Sequence, residues 1–89
     1  MLDNNVRYLQ LAFNDDLRQV RSVLPRVVPD PRILIEAGTP FIKREGMQGV
    51  RALAKSWNGI VVADLKIADG AIGEVDLAAQ AGARAITAL

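Results

Sequence analysis

Three charged residues, Asp64, Lys66 and Asp69, follow the apolar run Ile60-Val61-Val62-Ala63. An acid, an ammonium and a second acid therefore stand where a buried strand should meet solvent. Charges beside a core lose hydration unless they pair or bind something. In alternating strand–helix proteins, the carboxyl ends of the strands are where active sites are built. Two earlier apolar runs also end on polar residues: Tyr8–Phe13 on Asn14 and Arg32–Ile35 on Glu36. On neighbouring strands, roughly 4.8 Å apart, Glu36 and Asp64 would bring like charges together, and each would raise the other's pKa. A divalent cation or the Lys66 ammonium relieves that repulsion. Glu36 with Asp64 is a candidate hard-cation pair, with waters and substrate oxygens completing the shell.

Each feature also has a plainer explanation. A surface ion-pair cluster at a strand end accounts for Asp64, Lys66 and Asp69 as well as a catalytic cluster does. Glu36 alone suits a loop carboxylate capping a turn, and its interest comes from lying one strand from Asp64. Ala37-Gly38-Thr39-Pro40 reads as a tight turn. In it Gly38 permits close backbone approach and Thr39 offers a hydroxyl and an amide to a substrate, although glycine and proline also simply punctuate loops. Gly70 and Gly73 flank the start of a third helix, where amides could take an anion, a weak signal. Lys43 and Arg44 read as a solvated face and Trp57 as a core or interface residue.

The elements that must position these residues follow from the spacing of the apolar runs. Tyr8–Phe13, Arg32–Ile35, Ile60–Ala63 and Ala85–Leu89 recur at steps of 24, 27 and 26 residues, counted from Leu9 to Ile33 to Ile60 to Ile86. That repeat suits strand–helix units. Leu17, Val20 and Leu24 form one helical stripe, capped by Asp15 or Asp16 and ended by Pro25. Met47, Val50, Ala54 and Trp57 form a second, stopped at Asn58-Gly59. Ile72, Val75 and Ala79 form a third, with Glu74 near its start and Gly82 just past its end. The strands are rich in Val, Ile and Leu without strong alternation, as in parallel sheets covered on both faces.

The resulting class is α/β, with a βαβαβαβ parallel sheet. Right-handed crossovers put all three helices on one face and leave the other bare. Such a sheet is the first half of a (β/α)8 TIM barrel, and complete barrels run to about 250 residues. The expectation is a single partial barrel domain over 1–89, truncated relative to a closed one. A doubly wound sheet would need a reversal of strand order, which nothing in the sequence signals.

Composition narrows the chemistry. About half of the residues are apolar, the net charge is +1, and there is neither cysteine nor histidine. This excludes a disulfide framework, thiolate chemistry and an imidazole proton shuttle. It leaves oxygen ligands, and so magnesium, manganese or calcium, for any metal site. A near-neutral charge gives no argument for nucleic acid. No apolar run approaches the roughly 20 residues that span a bilayer, and the polar start Met1-Leu2-Asp3-Asn4-Asn5 is unlike a signal peptide. The expectation is a soluble cytoplasmic protein that engages neither nucleic acid nor membrane.

The stretches Leu9–Asn14, Glu36–Gly46 and Val62–Asp69, with Gly82-Ala83 before the last run, together resemble the first half of 3-hexulose-6-phosphate synthase, within the orotidine-monophosphate-decarboxylase-like barrels. Asp-x-Lys-x-x-Asp after a strand is shared across that superfamily, and Glu-Ala-Gly-Thr-Pro marks its metal-dependent branch. Ala63–Gly70 is similar to the synthase half of archaeal enzymes fused to a formaldehyde-activating domain. The resemblance implies a magnesium-dependent aldol reaction, joining formaldehyde to ribulose 5-phosphate or running in reverse, through an enediolate. It implies that Glu36 and Asp64 hold the magnesium and that Lys66 stabilises the enediolate. Asp69 would orient the lysine and reach a partner subunit's site in a dimer or larger homo-oligomer. Thr39, with Gly38, would contact substrate. Asn14 stands where much of the family has an aspartate; it can hydrogen-bond a substrate hydroxyl but cannot act as a base. The family's phosphate grip would lie beyond Leu89. A related 3-keto-gulonate-6-phosphate decarboxylase shares the metal pair, whereas the metal-free orotidine-phosphate branch usually has lysine in place of Glu36. A non-catalytic half-barrel that serves only as an assembly module is the alternative of another class.

Overall fold

A computed structural model describes residues 2–67 and 71–88. Four strands, β1 (Leu9–Phe13), β2 (Ile33–Ala37), β3 (Val61–Ile67) and β4 (Ala85–Ala88), form one sheet in the order β1-β2-β3-β4. All three neighbouring pairs are parallel. The order runs consecutively, as in a barrel wall, with none of the reversal that defines a doubly wound sheet. Helices α1 (Leu17–Val23), α2 (Thr39–Ser56) and α3 (Ala71–Gln80) fill the three crossovers. The extents of 35 × 34 × 19 Å fit one sheet backed by one layer of helices, since packed layers stand about 10 Å apart.

The core lies between those two layers. Phe13, Ile35, Ala37 and Val61 of the sheet pack with Val20, Leu24, Phe41, Val50, Leu53, Trp57 and Ala81. By strand alternation, Gln10, Ala12, Leu34, Glu36, Val62, Asp64, Ala85 and Thr87 share the opposite face. Leu34 and Val62 are themselves buried, and among the described residues the large exposed apolar side chains lie elsewhere.

Local chemistry sets the helix ends. Asp16 rather than Asp15 caps α1, accepting from the Gln19 amide at 2.9 Å. The Leu17 amide, another donor that the helix leaves unpaired, reaches Glu45 of α2 at 2.8 Å. Pro25 ends the regular helix in a 3-10 turn over Leu24–Arg26. α3 closes with Gly82 at φ 108°, the Ala83 amide donating to the Ala78 carbonyl and the Gly82 amide to that of Ala79. This paired arrangement explains the glycine there.

Several expectations are corrected. The tight turn at Ala37–Pro40 is instead the end of β2 and the start of α2, with Gly38 as the residue before the helix and Pro40 in its first turn. Proline suits that place because its missing N–H would have no helical partner. α2 breaks at Gly46 (φ 68°, ψ −165°), so the stripe beginning at Met47 is only its second part. The α3 stripe is out of phase. Ala78 is buried and Val75 half-buried, while Ala79 is exposed and Ile72 is 82% exposed. Alanine lets the helix approach closely, and a bulky apolar side chain is not by itself evidence of a buried face. Two strands also run further than their apolar runs: β2 contains Glu36, and β3 contains Asp64 and Lys66. Trp57 is a core residue, 6% exposed, and its indole N–H has no partner among the described residues.

Candidate active site

The sequence places one acid on each of two neighbouring strands, and register decides whether they share a face. Glu36 sits opposite Val62 on β3, and Asp64 lies two residues further along. Both acids therefore project from the open face, on adjacent strands and staggered by two residues. Register and alternation together fix this, because a single-residue slip would have put them on opposite faces.

Asp64 is the hub. Thr87 of β4, its register partner, donates its hydroxyl to one carboxylate oxygen, Oδ1. The Lys66 ammonium donates to the other, Oδ2, at 2.9 Å. Thr39 donates its hydroxyl to the Asp64 backbone carbonyl at 2.8 Å, tying the start of α2 to β3. The Thr87 hydroxyl, then the Lys66 ammonium, hold the Asp64 carboxyl below its ordinary value despite partial burial. This reverses the rise expected from two crowded acids. Glu36 is not among the groups that shift Asp64; its carboxylate accepts from Gln10 on the side away from β3.

Lys66 reaches Asp64 through an irregularity in the strand. Between the Asp64–Thr87 and Ile67–Ala88 pairings, β3 carries two residues that β4 does not match. Lys66 takes φ 47° there, a left-handed conformation that costs a residue with a Cβ about 1–2 kcal/mol. Bulges gather beside active sites because they re-aim side chains. The Lys66 side chain is 55% exposed, against 17% for Asp64, so the ammonium can turn to another anion.

The remaining predicted residues fall around this hub. Asn14 is exposed just past β1. Its side chain lies over buried Gly38, where a methyl group would come within 1.7 Å of Asn14 Oδ1 and 2.9 Å of the Phe13 carbonyl oxygen. Glycine is thus required for close approach of β1 and β2 at the rim. Thr39 has its hydroxyl proton committed to the strand, which leaves its oxygen as an acceptor. Asp69 lies outside the described residues, as does Gly70. Gln10 and Thr87 are not singled out by any motif; the signal that could have found them is parity, since both fall on the same strand face as the acids.

The donor set suits a hard divalent cation. Two carboxylates share one face, and Gln10 occupies only one oxygen of Glu36. No group of three or more acids converges among the described residues, so waters and substrate oxygens would complete six-coordination. A cleft of about 700 Å³ lies at the other end of the strands, between Tyr8, Pro29, Trp57 and Arg84, away from this chemistry. No helix among the described residues is long and apolar enough to cross a membrane.

One pH effect follows from Asp64. Its folded-state pKa lies below the ordinary 3.8. The associated stability is present above that ordinary value and is lost as pH falls through the lower, folded one. Acid unfolding should therefore be steeper below about pH 4 in the native chain than in Asp64→Asn. Asp30, lowered by Arg32, contributes to both and cancels in the comparison.

Comparison with known proteins agrees with the fold. Residues 8–89 match the family described as orotidine 5′-phosphate decarboxylase / HUMPS. The chain is 44% identical over 81 residues to the bifunctional enzyme Fae/Hps of Methanothrix thermoacetophila, and 36% identical over 80 residues to that of Methanocaldococcus jannaschii; each match covers 89% of this chain and 21% of the relative. It is 38% identical over 82 residues to 3-hexulose-6-phosphate synthase 1 of Staphylococcus saprophyticus, covering 91% of this chain and 39% of that protein. The chain therefore spans about a fifth of the length of the Fae/Hps relatives. No solved structure matches. With a consecutive parallel sheet, helices on one face, and the match from Tyr8 to the last residue, this chain belongs to the orotidine 5′-phosphate decarboxylase / HUMPS family of TIM-barrel proteins.

Proposed function

We propose that these 89 residues are the first strand–helix half of a magnesium-dependent hexulose-6-phosphate synthase, a lyase joining formaldehyde to ribulose 5-phosphate or running in reverse. The observation that carries this reading is the shared face of Glu36 and Asp64, with the Lys66 ammonium delivered to Asp64 by the left-handed turn. The names of the matched relatives supply the substrate class.

Glu36 and Asp64 would hold the magnesium, which would supply positive charge against the negative charge developing on the ketose oxygens. In the forward direction a base takes a proton from C1 of ribulose 5-phosphate, C1 of the resulting enediolate bonds to the formaldehyde carbon as its C=O π bond opens, and the alkoxide so formed takes up a proton. Lys66 turns from Asp64 and donates to an enediolate oxygen, and Asp69 orients it. Asn14 hydrogen-bonds a substrate hydroxyl and leaves the proton transfer to another group. Thr39 and Gly38 shape the substrate's approach at the start of α2. One sheet backed by one layer of helices does not enclose a substrate, so the 89 residues alone should bind metal and substrate weakly and turn over poorly. The working protein would be a cytoplasmic homo-oligomer.

The test has two parts. Magnesium titration of the purified 89-residue chain should raise its melting temperature, whereas an assembly module would show no such shift. A protein carrying this segment with the remainder of its barrel should consume formaldehyde in the presence of ribulose 5-phosphate. Decarboxylation of 3-keto-gulonate 6-phosphate instead would reassign it to the neighbouring branch.

A further inference from the structure

Read across the sheet, the open face carries a row of four side chains, one from each strand: Gln10, Glu36, Asp64 and Thr87. The two acids occupy the inner strands, and each receives one neutral donor from the strand outside it. Gln10 Nε2 of β1 donates to Glu36 Oε1, and Thr87 Oγ1 of β4 donates to Asp64 Oδ1. We infer that Gln10 and Thr87 are positioning residues, which hold the two acids as a pre-formed hard-cation pair. The inference rests on the metal reading above.

Three features support it. Both donors are uncharged, so they fix a carboxylate without neutralising it; a lysine or arginine in either place would compete with a cation for the same charge. Each takes a single oxygen. Among the described residues, the second oxygen of Glu36 has no partner, and the second oxygen of Asp64 meets only the half-exposed Lys66 ammonium, which can yield it. Finally, the donors sit on either side of the acid pair, so each acid is held from its outer flank. Ligating carboxylates elsewhere are hydrogen-bonded by such outer partners, and loss of one typically costs 10–100-fold in metal affinity.

The experiment measures magnesium affinity by calorimetry, and manganese affinity by electron paramagnetic resonance, on the 89-residue chain and on Gln10→Met, Thr87→Val and Thr87→Ser. Methionine and valine keep approximate shape and lose the donor; serine keeps the hydroxyl. Gln10 is exposed, so its variant should fold, and circular dichroism of each metal-free variant checks this. The expected result is binding weakened about 10–100-fold in Gln10→Met and in Thr87→Val, unchanged metal-free melting for Gln10→Met, and near-native affinity in Thr87→Ser. Native-like affinity in both donor-less variants, with the unmodified chain still binding metal, would overturn the inference and leave the proposed function standing. An unmodified chain that binds neither ion would overturn both.

Discussion

Asp64→Ala should abolish the response of this chain to magnesium. A ligand at a hundred times its dissociation constant stabilises the folded state by about 2.7 kcal/mol, and in a domain of this size each kcal/mol moves the melting temperature by roughly 4–8 °C. The native chain should thus gain about 10–20 °C at saturating magnesium, and Asp64→Ala none. The substitution also leaves the Lys66 ammonium and the Thr87 hydroxyl without their shared acceptor, while the Thr39 bond goes to the backbone carbonyl and survives. In a complete barrel, losing charge stabilisation at the reacting oxygens should lower turnover at least 10²–10³-fold, the usual result of removing one such contact. Asp64→Asn separates charge from shape: it keeps an oxygen for Thr87 but should bind magnesium no better than alanine. Differential scanning fluorimetry across a magnesium series reads the first effect, and a formaldehyde-consumption assay the second. A magnesium shift that persisted in both variants would move the metal away from this acid.

The largest loss of stability should come from Phe41→Ala. Phe41 is fully buried and is the largest such side chain in the core. It lies one helical turn from Glu45, and across the break at Gly46 its ring faces Gly49, where even a methyl group would come within 3.0 Å of it. A site packed this closely collapses poorly when emptied, so truncation should cost about 3–5 kcal/mol. Total stability for a domain of this size is about 4–13 kcal/mol, so the variant forfeits a large part of it. Because Phe41 follows Thr39 and Pro40 in the first turn of α2, the damage reaches the rim: the Thr39–Asp64 tie depends on where that turn is anchored. Urea denaturation followed by circular dichroism should show the midpoint falling steeply, with Phe41→Leu in between. A variant as stable as the native chain would mean that the ring is not the anchor of α2.

The architecture was legible because its period was. Apolar runs at nearly constant spacing, separated by helical stripes, lead to a consecutive parallel sheet with few alternatives, and the sheet has that order. Legibility failed where short-range signals competed with tertiary packing. Ile72 suggested a buried stripe, but the close approach of Ala78 and Ala81 turned α3 the other way. Gly38-Thr39-Pro40 read as a turn because glycine and proline punctuate loops, yet both residues suit the start of a helix equally well. Glu36, Asp64 and Lys66 stood out by charge against an apolar background. Gln10 and Thr87 did not, since a neutral polar residue on a strand carries no such contrast. Only register reveals that they flank the acids. The bulge at Leu65-Lys66 was hidden for a related reason: lysine gives no hint of a left-handed backbone, which glycine or asparagine would have advertised.

That backbone has a consequence for anyone evolving this protein. Glycine at position 66 would relieve the conformational cost and firm up the strand, and asparagine would do so in part. A library ranked on heat tolerance alone would therefore be drawn toward replacing the ammonium, trading the group proposed to meet the substrate for a sturdier strand.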